Sequence, residues 1–166
     1  MDSLKICSLN CRGLNGQRKR LDTFDYIKKL CIHSTARSNA RGVSIIFNKK
    51  LDYTIHRQLC DGNGNFVLID LSVSKNRFTL ATAYFPKSDK PTFIEHLCSA
   101  IDSFDNNSYM LCGDFNLVLD PEIDYYNYKT IDNKNVRLKL LQYIEDRQLV
   151  DPYRELYPDS KRFTWR

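Results

Sequence analysis

FVLIDLSVSKNRFTLATAYFPKSDKPTFIEHLCSAIDSFDNNSYMLCGDFN, residues 66–116, carries three periodicities in turn. Phe66 to Val73 and Phe78 to Phe85 are strand-length apolar runs joined by the polar turn Ser74 to Arg77. After Pro86 the period changes. Phe93, Leu97, Ala100, Ile101 and Phe104 recur at helical spacing, with Asp89 as a plausible cap and Pro91 in the first turn. Asp105-Asn106-Asn107 stops that helix, and Tyr109 to Cys112 reads as a strand running into Gly113-Asp114-Phe115-Asn116. Strand, strand, helix, strand is the order of a layered α/β domain.

Working outward, Asp61-Gly62-Asn63-Gly64 is a turn between two β-rich runs, so Asp52 to Arg57 precedes it as another strand. Gly42 to Asn48 has the composition of a buried strand. Cys31 to Arg41 is short, polar and patternless, with no strand or helix read in it. Gln17 to Leu30 places Leu21, Phe24, Ile27 and Leu30 on one helical face, and Leu4 to Asn10 alternates as a strand. Downstream, Leu117 to Asp132 reads as a long polar loop and Val136 to Leu149 as an amphipathic helix with Leu140, Leu141, Ile144 and Leu149 inward. Asp151 to Tyr157 allows about one helical turn, and Phe163-Thr164-Trp165 opens a strand.

The 166 residues suit one domain, residues 1–166, with no repeat, linker or low-complexity tract. At 42% hydrophobic and 27% charged residues the composition excludes disorder as the default. No apolar run approaches the roughly 18 residues of a membrane span. The first residues carry no apolar core of a signal peptide, so an intracellular setting, nuclear or cytoplasmic, is expected. The net charge of +5 tolerates a phosphate-rich partner without requiring one. Cys7, Cys11, Cys31, Cys60, Cys98 and Cys112 show no zinc spacing and read as small core residues in a reducing compartment.

Polar groups stand at the ends of three strands. Asn10 precedes Cys11-Arg12-Gly13, Tyr84 ends the run TLATAYFP, and Asp114 and Asn116 follow the Tyr109 strand. Strand ends of this kind floor active sites in α/β sheets. An Asp followed two residues later by Asn sets a carboxylate and an amide on one side of an extended segment, able to orient and deprotonate a water. Taken singly, each motif also reads blandly: GDFN as a turn, Asn10 as a polar strand end, Tyr84 as a core tyrosine with a satisfied hydroxyl.

The succession Ser8-Leu9-Asn10-Cys11-Arg12-Gly13-Leu14-Asn15, then Arg41 to Phe47, Ala83-Tyr84-Phe85-Pro86, Leu111 to Asn116 and Phe163-Thr164-Trp165 is more specific. In that order the chain resembles the endonuclease/exonuclease/phosphatase superfamily of DNase-I-like fold. It resembles most the endonuclease domain of LINE-type non-LTR retrotransposons. The resemblance implies a four-layered α/β sandwich with the active site at one end. It implies Mg²⁺-dependent cleavage of a DNA phosphodiester and a reverse transcriptase domain downstream in the full element. It assigns Asn10 and Asp114 to the metal, Tyr84 to the scissile phosphate, Asp114 and Asn116 to the attacking water, and Thr164 to the DNA backbone. Arg12, Arg18, Lys19 and Arg20, on a polar loop and helix start beside Asn10, are candidates for DNA phosphates, with a solvated helix face the alternative for Arg18 to Arg20.

The chain also departs from that pattern. The family continues after the first helix with an apolar strand ending in the metal-ligating Glu. Here CIHSTARSNA follows Leu30, and no Glu precedes Glu95. The family closes on a Ser-Asp-His motif, which His33, His56 and His96 do not match. The expectation is therefore an incomplete sandwich lacking one central strand and the C-terminal strands, with little or no cleavage. Loss of the central strand would leave Gly42 to Asn48 either unpaired or paired with Leu4 to Asn10. A non-catalytic nucleic-acid-binding or interaction module and a small-molecule phosphodiesterase or phosphatase are the alternatives.

Overall fold

The computed structural model describes Lys5, Ile6 and residues 31–35, 42–48, 50–106, 108–124 and 133–161. The expected strand Leu4 to Asn10 (save Lys5 and Ile6), the helix Gln17 to Leu30 and the run Phe163-Thr164-Trp165 lie outside the described residues. The chain divides into two compact units, Met1–Phe85 with Ile101–Asp114, and Pro86–Ala100 with Phe115–Arg166. The described elements are mixed α/β.

In the first unit, β1 (Cys31–Thr35) and β2 (Gly42–Ile46) form an antiparallel pair. A four-stranded sheet has the order β3 (Tyr53–Cys60), β4 (Phe66–Val73), β5 (Asn76–Tyr84), β6 (Tyr109–Asp114). Its first two pairings are antiparallel and the β5–β6 pairing is parallel. Parallel neighbours need a crossover, and α1 (Pro91–Asp102) supplies it.

The two sheets pack face to face. Val43, Ile45 and Phe47 from β2 and its exit meet Val67, Ile69, Leu71 and Leu80 in one apolar cluster, with Ile32 of β1 packed against it. The opposite face of β4 is equally covered, since Phe66 and Leu68 are fully buried. A strand buried on both faces explains why residues 66–71 are nearly all apolar instead of alternating. β3 is an edge strand and carries a bulge between Ile55 and Arg57. A bulge and a charge on an edge both discourage further pairing. Arg57 donates to the Ser103 carbonyl at 2.5 Å and lies over the Phe104 ring, 4.3 Å from its centre.

The second unit holds most of α1 together with α2 (Pro121–Asp124), α3 (Lys134–Asp146) and α4 (Pro152–Leu156). Ile94 and Leu97 of α1 and Val136, Leu140 and Tyr143 of α3 are buried. Glu95 and Lys139 form an ion pair between the two helices. The N-terminus of α3 is capped from a distance. Asp89 accepts from Asn135 N at 3.2 Å and Val136 N at 2.9 Å. Backbone bonds, first that from Val136, hold the Asp89 carboxyl below the usual carboxylate range. α4 has a local cap, Asp151, with Pro152 in its first turn.

Several expectations change. Cys31 to Thr35, patternless in sequence, is a strand, and it is the partner that Gly42 to Ile46 finds among the described residues. The reason lies in Ser34, an inward position filled by a polar residue. Its hydroxyl donates to Asp61 Oδ1 at 3.0 Å and also bonds the Asp61 carbonyl. The loop expected from Leu117 contains the short α2. On α3, Tyr143 is buried whereas Leu141 and Ile144 are only half-buried. Among the cysteines, Cys60 is exposed rather than in the core, while Cys98 and Cys112 are half-buried. Among the described residues no helix is long and apolar enough to cross a membrane.

Candidate functional site

Parallel pairing brings two of the expected site residues together. Tyr84 and Asp114 are register partners at the last rung of β5 and β6. Phe85 N donates to the Asp114 carbonyl at 2.9 Å and continues the ladder one step. Register partners present their side chains on the same face of a sheet. Tyr84 and Cys112 both pack against the apolar cluster between the sheets, so Asp114 stands at the open end of that inner face. Burial pushes the Cys112 thiol up, which keeps it protonated and a poor nucleophile.

Gly113 makes this close approach possible. Its φ is +142°, and a Cβ there would lie 1.9 Å from the Ala83 carbonyl oxygen. Only glycine lets β6 run this near β5 immediately before the carboxylate.

Asn116 departs from the extended geometry expected of it. β6 ends at Asp114, and Asn116 has φ +47°, in the left-handed region. Simple alternation therefore does not set its side chain beside that of Asp114. Within the second unit its carbonyl accepts from Asn133 Nδ2 at 2.9 Å. Asn133 stands at the N-cap of α3, itself left-handed at φ 55°, and makes no capping bond with its side chain. Asp89 supplies that cap, leaving the Asn133 amide to bond the Asn116 carbonyl. Asn10, Arg12 and Thr164, and with them Arg18, Lys19 and Arg20, lie outside the described residues.

A residue missed in the sequence completes the corner. Tyr84 N donates to the Asn65 carbonyl at 2.7 Å, extending the β4–β5 register one step beyond Phe66↔Ala83. Asn65, Tyr84 and Asp114 therefore form a row across three adjacent strands. Asn65 is 6% exposed. Its orientation is dictated by Asp61, whose carboxylate accepts from Asn65 N at 2.7 Å, Phe66 N at 2.9 Å and Asn65 Nδ2 at 3.1 Å. A carboxylate can only accept, so the amide nitrogen must face it and Oδ1 must face elsewhere. Among the described residues, Asn65 Oδ1 is buried without a hydrogen-bond partner. The sequence signal was present: an Asp opening a Gly-rich turn that an Asn closes.

Mg²⁺ takes oxygen ligands and keeps several of its waters, often with one or two carboxylates. The Asp114 carboxylate and the Asn65 side-chain oxygen are both hard oxygen donors, and among the described residues the second is a buried acceptor without a donor. One carboxylate and one fully buried amide oxygen are a thin donor set for such an ion. Among the described residues no group of three or more His, Cys, Asp and Glu gathers to hold a metal directly. His96 is exposed on α1, and His56 Nε2 lies 2.7 Å from Ser72 Oγ, near the opposite end of β4. No protein-family model matches the chain.

Proposed function

We propose that this chain is a retrotransposon-type, Mg²⁺-dependent DNA endonuclease domain whose cleavage is weakened to little or none. The observation that carries the reading is the Tyr84–Asp114 pair at the end of the two parallel strands. A phenol and a carboxylate on one face suit a phosphodiester. The Tyr84 hydroxyl donates to a non-bridging oxygen, and Asp114 accepts the proton of the water that attacks phosphorus as the P–O bond opposite it breaks. Bound Mg²⁺ supplies charge neutralisation at the phosphoryl oxygens.

The weakness follows from the same residues. One carboxylate and one amide make a thin metal site, and His56 lies near the opposite end of β4. Losses within a set of groups that act as a unit commonly reach several powers of ten in rate. Nicking of supercoiled plasmid with Mg²⁺, run beside Asp114→Ala and an EDTA control, tests this. The expectation is nicking near background, abolished by Asp114→Ala and by EDTA, with DNA still bound. Vigorous nicking that survives Asp114→Ala would place the chemistry in other residues and end the proposal.

A further inference from the structure

Within the second unit, Asp89 joins two segments that are far apart in the sequence. Its carboxylate accepts from Asn135 N at 3.2 Å, Asn135 Nδ2 at 2.8 Å and Val136 N at 2.9 Å. Those bonds tie the segment before α1 to the first turn of α3. They also gather cations. Lys87 and Lys90 stand on either side of Asp89, and Lys134 opens α3 next to Asn135. All three lysines are exposed. Among the described residues their ammonium groups have no ion pair and no hydrogen bond, whereas Lys139 pairs with Glu95 and Arg154 with Asp124. The first turn of α3 holds no acidic residue, although the positive end of a helix favours negative charge. Asp89 opposes this charge, but its oxygens are already taken up by N–H groups. The helix end is therefore not the site, and what remains open to a ligand is the set of three ammonium groups around it.

We propose that Lys87, Lys90 and Lys134 form a patch that contacts the phosphates of duplex DNA without reading its sequence. The inference deepens the endonuclease reading and rests on it. The chemistry of the patch suits a phosphate backbone. A lysine ammonium is a compact point charge on a flexible stem, so it meets a phosphate without a fixed bidentate geometry. A duplex carries one negative charge for about every 1.7 Å of its axis, so three such stems find phosphates in any register. Contacts of this kind fix orientation and carry no sequence information. Lys87 follows Tyr84 by three residues, so the chain runs from the candidate phosphate-binding tyrosine directly into the patch. Asp89 acts as a positioning residue here, because its bonds to α3 bring Lys87 and Lys90 to Lys134.

The test is the salt dependence of duplex binding by the full chain, read by fluorescence anisotropy in EDTA so that no cleavage intervenes. Each phosphate contact contributes about 0.9 to the slope of log affinity against log salt. The triple variant Lys87→Gln, Lys90→Gln, Lys134→Gln is expected to flatten that slope by about 1 for each lysine removed, equally on two duplexes of unrelated sequence. Lys→Arg at the same three positions keeps the charge and should restore the parent slope. All three side chains are exposed, so the variants should fold, and an unchanged denaturation midpoint in urea confirms it. Lys50→Gln with Lys75→Gln removes two exposed charges from the first unit and should leave the slope as it is. If the parent binds duplex and the triple variant keeps the parent slope, or the first-unit pair flattens it as much per charge, the patch falls and the endonuclease reading stands. If the parent binds no duplex even at about 50 mM salt, the DNA reading itself falls and the patch with it. If the triple variant binds duplex as the parent does but loses binding to phosphatidylserine vesicles, the patch serves a lipid surface and the proposal is overturned.

Discussion

At the residue scale, two groups set the geometry of the corner. Gly113 is there for what it lacks. With a Cβ held 1.9 Å from the Ala83 carbonyl oxygen, Gly113→Ala must force β5 and β6 apart at the rung before Asp114. The expected cost is about 3 kcal/mol or more, read as a lower denaturation midpoint in urea. A substitution that left stability unchanged would show that the two strands part easily at that end. Asp61 is the second. It ties Ser34 of β1 to the β3–β4 turn and orients Asn65, so one carboxylate serves both the packing of the hairpin and the polarity of the corner.

At the element scale, caps and pairings reach across long sequence separations. Asp89, in the β5–α1 connection, caps α3, and its carboxyl is held below the usual range by those bonds. Asp70 on β4 is held low mainly by its hydrogen bonds from Arg77, at 3.0 and 3.1 Å from Nε. A folded-state pKa below the unfolded value contributes stability above the unfolded value, about 3.9 for Asp. That contribution disappears as the pH falls through the lower, folded value. Asp89→Asn keeps a capping oxygen without the charge. It is therefore expected to lose less stability than the parent between pH 5 and 2, approximately the range in which carboxylates protonate. Hydrogen exchange at the first turn of α3 measures it, and an unchanged acid profile would remove Asp89 from the account. Elements whose cause is local were legible: β4 and β5 from their apolar runs, α1 and α3 from their period. β1 was not, because its inward Ser34 breaks the apolar alternation. The partner that makes a hydroxyl acceptable there, Asp61, is 27 residues away.

At the scale of the whole molecule, charge and topology bear on the partner. The chain carries 25 Lys and Arg against 20 Asp and Glu. If DNA is the partner, phosphate contacts dominate affinity and release counterions. Binding to a duplex should therefore weaken steeply, by powers of ten, between about 50 and 200 mM salt. Fluorescence anisotropy at several salt concentrations reads this. Binding that is indifferent to salt, or absent at 50 mM, would remove DNA from the proposal. Topology explains why the candidate residues were only partly readable. Tyr84 and Asp114 were visible as polar strand ends, but their pairing required β5 and β6 to be parallel neighbours across the α1 crossover.

The sequence by itself determined the mixed α/β class, the run of elements from residue 52 to residue 156 apart from α2, and the types of side chain offered at the strand ends. These follow from periodicity and turn chemistry, which act over a few residues. Only the tertiary structure decided that Cys31–Thr35 is a strand, that Asn116 is left-handed beside Asn133, that Asp89 caps a distant helix, and that Asn65 stands in a row with Tyr84 and Asp114. Each of those depends on a hydrogen bond or register between segments far apart in the chain. A buried polar group is tolerated only once its distant partner is in place.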